Sequence, residues 1–175
     1  MKKSIRMGAV CALAGFAMFA TAEEKAAAPA ATPAAAAPMV IYDTALASGW
    51  QNWSWAKTEL SIQIEGSARK PIKVEAAGWQ ALYLQHEAFN TTGYQNVEFL
   101  IQGTAPEAEV RVIALINGKP ANDGRTIKID NKGWKRVITP LRTLGAEETS
   151  IDGLWVQNAS ANDLPKFYVT EIKLQ

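Results

Sequence analysis

Trp53 and Trp55 stand two residues apart in the stretch Gly49-Trp50-Gln51-Asn52-Trp53-Ser54-Trp55, which holds three of the chain's six tryptophans. On an extended backbone, residues two apart point to the same side. These two rings would therefore form a pair, with Trp50 on the opposite phase as a core anchor. Two further stretches carry similar side chains. In Trp79–His86 (WQALYLQH), Leu82 and Leu84 fall on one face and Trp79, Tyr83 and Gln85 on the other. In Gly153–Asn158 (GLWVQN), Leu154 and Val156 oppose Trp155 and Gln157, and in EVRVIALI Arg111 opposes Val110, Val112 and Ala114. If the aliphatic residues face a core, the candidate site residues Trp53, Trp55, Tyr83, Arg111, Trp155 and Gln157 share an outer surface. Such a surface has a definite chemistry. Aromatic ring faces pack against the C–H faces of a pyranose, and amide and guanidinium groups hydrogen-bond its hydroxyls. The competing reading places the rings inside a sandwich core, and it weighs most for Trp79 and Tyr83. Trp134, at a strand start before Val137 and Pro140, reads as a structural anchor.

Other chemistries have little to work with. The single histidine, His86, falls at a strand end before Glu87 and reads as an edge residue, not as the base of a triad. There is no G-x-S-x-G elbow, P-loop or dinucleotide fingerprint, and no His/Cys cluster with transition-metal spacing. Carboxylates are scattered, although two from distant strands could converge as in glycoside hydrolysis. The formal net charge is +1 over 175 residues, and from Met39 onward 14 Lys/Arg face 15 Asp/Glu. That balance gives no electrostatic case for nucleic acid.

The elements that must position these residues are short strands. Alternating apolar and polar residues between Gly, Asn and Pro turn signals mark about nine or ten of them, which predicts an all-β, antiparallel two-sheet β-sandwich. They are Val40–Tyr42, Leu60–Glu65, Ile72–Val74, Trp79–His86, Val97–Ile101, Val110–Ile116, Thr126–Asp130, Trp134–Thr139, Gly153–Asn158 and Phe167–Leu174. Asn117-Gly118 has the form of a hairpin turn. Helical pieces are limited to Ala45–Leu46, Glu87–Phe89 and Leu141–Glu148, the last a single turn after Pro140. The three Asn-x-Ser/Thr sequons at Asn52, Asn90 and Asn158 read as turn residues.

Before this domain come two segments of other kinds. Lys2, Lys3 and Arg6, the apolar run Met7–Phe19 and Ala20-Thr21-Ala22 form a cleavable signal peptide over residues 1–22. The apolar run is short for a membrane span, so no span remains after cleavage, and a secreted or periplasmic location follows. Residues 23–38 (EEKAAAPAATPAAAAP) are an Ala/Pro-rich linker in which Pro29, Pro33 and Pro38 interrupt any helix. The folded domain spans residues 39–175. The one cysteine, Cys11, lies in the signal, so the mature chain relies on its core and not on disulfides.

The order of features resembles a known class. Tyr42-Asp43 and Gly49-Trp50 precede Trp53-Ser54-Trp55; then come Ala81-Leu82-Tyr83-Leu84, Phe89–Tyr94 and Val97–Gly103; Trp134–Val137 leads to Pro140-Leu141 and Leu144-Gly145; Ile151–Leu154 leads to Phe167–Ile172. This resembles the jelly-roll, carbohydrate-binding-module-like domains of secreted bacterial proteins, in the broad galactose-binding-like class. The resemblance implies an exported, non-catalytic binder of a polysaccharide or surface glycan. Members often close with a strand F-x-V-D-D-I, whose acid joins one near the first strand around a structural calcium. Here Asp43 matches the early acid, Thr170 replaces the first aspartate and Glu171 takes the second, so a calcium through Asp43 and Glu171 is the only cofactor implied. Two alternatives stay open: a structural or adhesion component of the envelope with a protein partner, and a glycan hydrolase or lyase.

Overall fold

The computed structural model describes residues 36–175. The expected signal peptide and the expected linker up to residue 35 lie outside the described residues. In chain order the strands are β1 (Met39–Tyr42), β2 (Gln51–Asn52), β3 (Lys57–Glu59), β4 (Ile72–Ala76), β5 (Ala81–Asn90), β6 (Asn96–Gly103), β7 (Ala108–Ile116), β8 (Lys119–Pro120), β9 (Arg125–Ile129), β10 (Lys135–Pro140), β11 (Ser150–Asn158) and β12 (Leu164–Leu174). A single 3₁₀ turn, Leu141–Leu144, follows β10. The strands form two sheets. The back sheet runs β10-β6-β12-β4-β3, with β1 also paired to β12, and the front sheet runs β2-β5-β11-β7, with β8 and β9 both on the far edge of β7. Every ladder is antiparallel.

The period-2 pattern sorts the faces as the sequence implies. Leu82 and Leu84, Val110, Val112 and Ala114, and Leu154 and Val156 point from the front sheet into the core. Ile72, Val74, Val97, Phe99, Ile101, Phe167 and Val169 meet them from the back sheet. Each such side chain contributes about 2–3 kcal/mol by leaving water, so alternation alone determines which face each strand turns inward. Trp50 is buried in this core, with its ring centroid 5.0 Å from that of His86 and 5.9 Å from that of Phe89. Asn117 and Gly118 both have positive φ, 53° and 69°, as a two-residue primed hairpin turn requires. All three sequon asparagines make Asx turns: the side-chain oxygen of Asn52, Asn90 and Asn158 accepts the backbone N–H two residues on, at 3.2, 2.7 and 3.0 Å.

Three expectations are corrected. Leu60–Glu65 is a loop despite its alternation, because the buried Tyr42 hydroxyl needs partners and the loop supplies them. The Ser61 N–H donates to that hydroxyl at 2.9 Å, the hydroxyl donates to the Lys70 carbonyl at 2.7 Å, and Ser61 sits at φ 56° to allow it. Glu87–Phe89 is not helical but lies in β5, where the register against β11 slips between Ile151 and Gly153. Leu46 forms only an isolated bridge to Tyr42. Trp134 is half-buried and lies under the Arg69 guanidinium, 5.9 Å from its ring centroid. The short β2, β3 and β8 raise the number of strands above expectation; two or three residues carry no periodicity to read.

Candidate functional site

The segment Gln51–Ala56 lies along the free edge of β5. Gln51 and Asn52 pair with Gln85 and Leu84, the Trp53 N–H donates to the Tyr83 carbonyl at 2.9 Å, and the Ala56 N–H donates to the Ala81 carbonyl at 3.1 Å. Between them the Ser54 hydroxyl, itself tied to the Asn52 side chain, accepts the Tyr83 N–H at 2.9 Å. Both rings flanking this serine reach Tyr83: Trp53 at 5.9 Å and Trp55 at 6.5 Å between centroids.

Across the front sheet, Tyr83, Trp155 and Ile113 are in register, with Ala81, Gln157 and Arg111 in the adjacent row. Tyr83 meets Trp155 edge to face at 5.9 Å, and Trp55 meets Trp155 at 4.8 Å with planes 82° apart. Four rings therefore form one edge-to-face cluster, in which each pair contributes about 1 kcal/mol beyond its buried area. Gly153 makes room for it, since a Cβ there would sit 2.7 Å from Tyr83 Cε2. Trp155 and Tyr83 are half-buried as the floor, while Trp53 and Trp55 stand 55% and 41% exposed at the edge.

Trp79 borders the cluster through its backbone carbonyl. It is 50% exposed and sits at φ 62°, in a turn closed by the Gln80 N–H on the Ala77 carbonyl at 3.0 Å. Such turns give that third position to glycine. Here the glycine is one residue earlier, because a Cβ on Gly78 would fall 2.1 Å from the Ala161 carbonyl oxygen. The strained Trp79 backbone is held from both sides. Its N–H donates to the Ser160 carbonyl at 2.9 Å, and its carbonyl accepts from Gln157 Nε2 at 2.9 Å and Trp55 Nε1 at 3.3 Å. Strain of this kind, retained by dedicated hydrogen bonds, concentrates at binding sites.

Burial raises the Tyr83 phenol above its ordinary pKa, and the nearby Asp152 carboxylate raises it further. Asp152 Oδ2 accepts the Gly118 N–H at 2.6 Å, but its Oδ1 is buried without a partner among the described residues, as is the Trp155 indole nitrogen.

All six sequence-predicted side chains thus lie on the front sheet or its β2 edge. The rings Trp53, Trp55, Tyr83 and Trp155 are brought into contact. Gln157 serves chiefly as the prop of Trp79, and Arg111 stands beside it, half-buried and without an ion pair among the described residues. Sequence reasoning missed Trp79 as a site residue by assigning it to a strand; the signal was Ala-Gly-Trp-Gln read as a turn. It also missed Gln51, whose Oε1 accepts from Trp53 Nε1 at 2.9 Å. Asp43 and Glu171 do line one shallow cavity of about 240 Å³. However, Glu171 Oε1 accepts from Arg69 Nε at 2.8 Å, and among the described residues no three His, Cys, Asp or Glu converge. Calcium wants six to eight oxygens, and these residues do not fit it.

No family model matches the chain. A curated endoglucanase of Dictyostelium discoideum is 22% identical over 142 residues, which cover 75% of this chain but only 20% of the endoglucanase, so the chain spans about a fifth of that relative's length. Among solved structures, the family 11 carbohydrate-binding module from Clostridium thermocellum, in complex with a β-1,3-1,4-mixed-linked tetrasaccharide, superposes with a TM-score of 0.59. It is 19% identical and matches 78% of this chain and 94% of its own. A family 29 carbohydrate-binding module complexed with cellulohexaose gives 0.55 at 14% identity, over 79% of this chain and 89% of its own. The fold is that of the jelly-roll carbohydrate-binding modules.

Proposed function

We propose that the chain is a non-catalytic carbohydrate-binding protein that takes a polysaccharide against the outer face of its front sheet. The observation that carries this reading is the exposure of Trp53 and Trp55 against the half-buried floor of Tyr83 and Trp155, with the exposed Trp79 tied to Trp55 through its carbonyl. Monomeric proteins seldom leave three indoles in water without a partner for them. A glycan would stack on these rings, while Arg111, the free oxygen of Gln157 and the Tyr83 hydroxyl orient its hydroxyls. The ligands of the two similar solved modules, a mixed-linked tetrasaccharide and cellulohexaose, make β-linked glucans the first class to try. His86 supports a non-catalytic role, since it leans on Trp50 with Nδ1 against the Glu87 carbonyl, turned to structural use. With residues 1–22 removed as an export signal, the protein would work outside the cytoplasm.

Titration with mixed-linked glucan and cello-oligosaccharides, followed by tryptophan fluorescence and calorimetry, tests the reading. Saturable binding that is lost in Trp53→Ala and Trp155→Ala is expected. A screen across neutral glycans with no binder would refute the function, and equal binding by both variants would refute the site. Release of reducing ends or unsaturated products would instead establish an enzyme.

A further inference from the structure

We propose that the seam between β9 and β10, at the edge of the front sheet away from the tryptophans, is a second site and binds an acidic polysaccharide. The free edges of the two sheets meet there, since among the described residues β9 pairs only with β7 and β10 only with β6. Between them lies a cavity of about 460 Å³ whose lining includes Arg125, Lys128, Lys135 and Arg136 and no acidic side chain. Arg125 Nη1 donates to the Ile138 carbonyl at 2.7 Å, and Lys135 Nζ donates to the Lys128 carbonyl at 2.7 Å. These contacts staple the two edges and block strand addition, but they neutralise no charge. Arg136 is matched by Glu98, and Lys128 reaches Glu109 only at 3.9 Å. Arg125 and Lys135 have no carboxylate partner among the described residues, and most of their N–H donors remain for a ligand.

Two such charges in one groove repel each other, and an entering anion removes that cost. A lone anion gains little at a salt-screened surface. A polymer with an anion on successive units engages several cations at once. Ile138, 47% exposed beside the cations, selects among polymers. A uronate ring offers an apolar C–H face next to its carboxylate. A nucleic acid would call for a longer run of cations or stacking rings, and an anionic membrane for a broader apolar face.

This site does not rest on the aromatic face, and the two are read separately. Calorimetry at low salt would use polygalacturonate, neutral dextran, a DNA duplex and phosphatidylglycerol vesicles as probes. Polygalacturonate is expected to bind, more weakly as salt rises, and R125Q/K135Q to weaken it about tenfold or more. K166Q, outside the seam, should leave it unchanged. Because Arg125 also staples Ile138, K128Q/K135Q keeps that bond and is expected to weaken binding too, with melting curves showing both variants folded. Trp53→Ala/Trp55→Ala should spare polygalacturonate while losing neutral glucan. No binding by the wild type, equal binding by wild type and both seam variants, or a preference for duplex or vesicles would each overturn the proposal.

Discussion

The two sheets share one core but present opposite outer surfaces. The back sheet is dressed in ion pairs. Lys73 bridges Glu59 and Glu75, Lys57 reaches Glu75, and Glu98, almost fully buried, is held by Arg136, Lys173 and Gln175. Among the described residues the front sheet has one ion pair, Lys128–Glu109 at its far edge, and a cluster of edge-to-face rings at the other. Any partner that covers a surface must strip its water. Stripping paired charges is costly and seldom fully repaid, whereas stripping indole rings is favourable. The same fold therefore gives one face that resists association and one that invites it.

The sharpest way to break this contrast is to remove the rings. Each exposed indole that anchors a ligand is worth about 2 kcal/mol, so Trp53→Ala/Trp55→Ala should weaken glucan binding about a hundredfold or more, measured by calorimetry. Its melting temperature should fall by several degrees as three edge-to-face contacts are lost, while the chain, whose core holds neither ring, stays folded at the assay temperature.

Trp79→Gly sharpens the contrast by separating binding from stability. Glycine relieves the φ of 62° that the indole now endures, a strain of about 1 kcal/mol or more. The variant should melt at a higher temperature in calorimetric scans, yet bind about tenfold more weakly. A gain or no change in affinity would mean that Trp79 is strained for some other reason.

The difference between the faces was only partly legible in sequence. Alternation told inward from outward along Ala81–Gln85, Val110–Ala114 and Leu154–Gln157, because burial of Leu84 or Val112 outweighs any local preference, and it set Tyr83, Trp155 and Gln157 outward. The alternation is lost in β12, where a bulge moves the inward residues from Phe167 and Val169 to Ile172 and Leu174. It failed where hydrogen bonding to one buried group governs. The Tyr42 hydroxyl bends Leu60–Glu65 out of the strand its pattern suggests. It failed again at Gly78-Trp79, where the approach of the Ala161 carbonyl fixes the glycine and leaves the left-handed position to tryptophan. No pattern of residue types shows that Gln157 props a turn 78 residues away. Nor did charge counting anticipate the seam, since a balanced total hides four cations brought together from two strands.

The Tyr83 phenol gives a titration on the front face. Its pKa in the folded protein is raised above the ordinary 10.0, first by burial and then by Asp152. The folded state therefore favours the protonated ring. Stability is unaffected below the unfolded value and falls as pH rises from there through the folded one. Tyr83→Phe should lose this alkaline fall in urea melts, and the wild-type ultraviolet titration should show one phenol ionising late.

The smallest effect is expected on the back face, with the signs reversed between partners. Lys73 is raised by its hydrogen bonds to Glu59 and Glu75, so its contribution persists below its ordinary value and is lost at strongly alkaline pH. Glu75 is lowered by Lys73 and then Lys57, so its contribution is present above the ordinary carboxylate range and fades as acid protonates it. These pairs lie at the surface, with Lys73 the most covered of them, and surface pairs contribute little. Lys73→Gln should therefore flatten the acid limb of the stability curve only slightly and leave glucan affinity unchanged. A loss of affinity in that variant would show that the charged face also meets the ligand, and the division between the two surfaces would then be wrong.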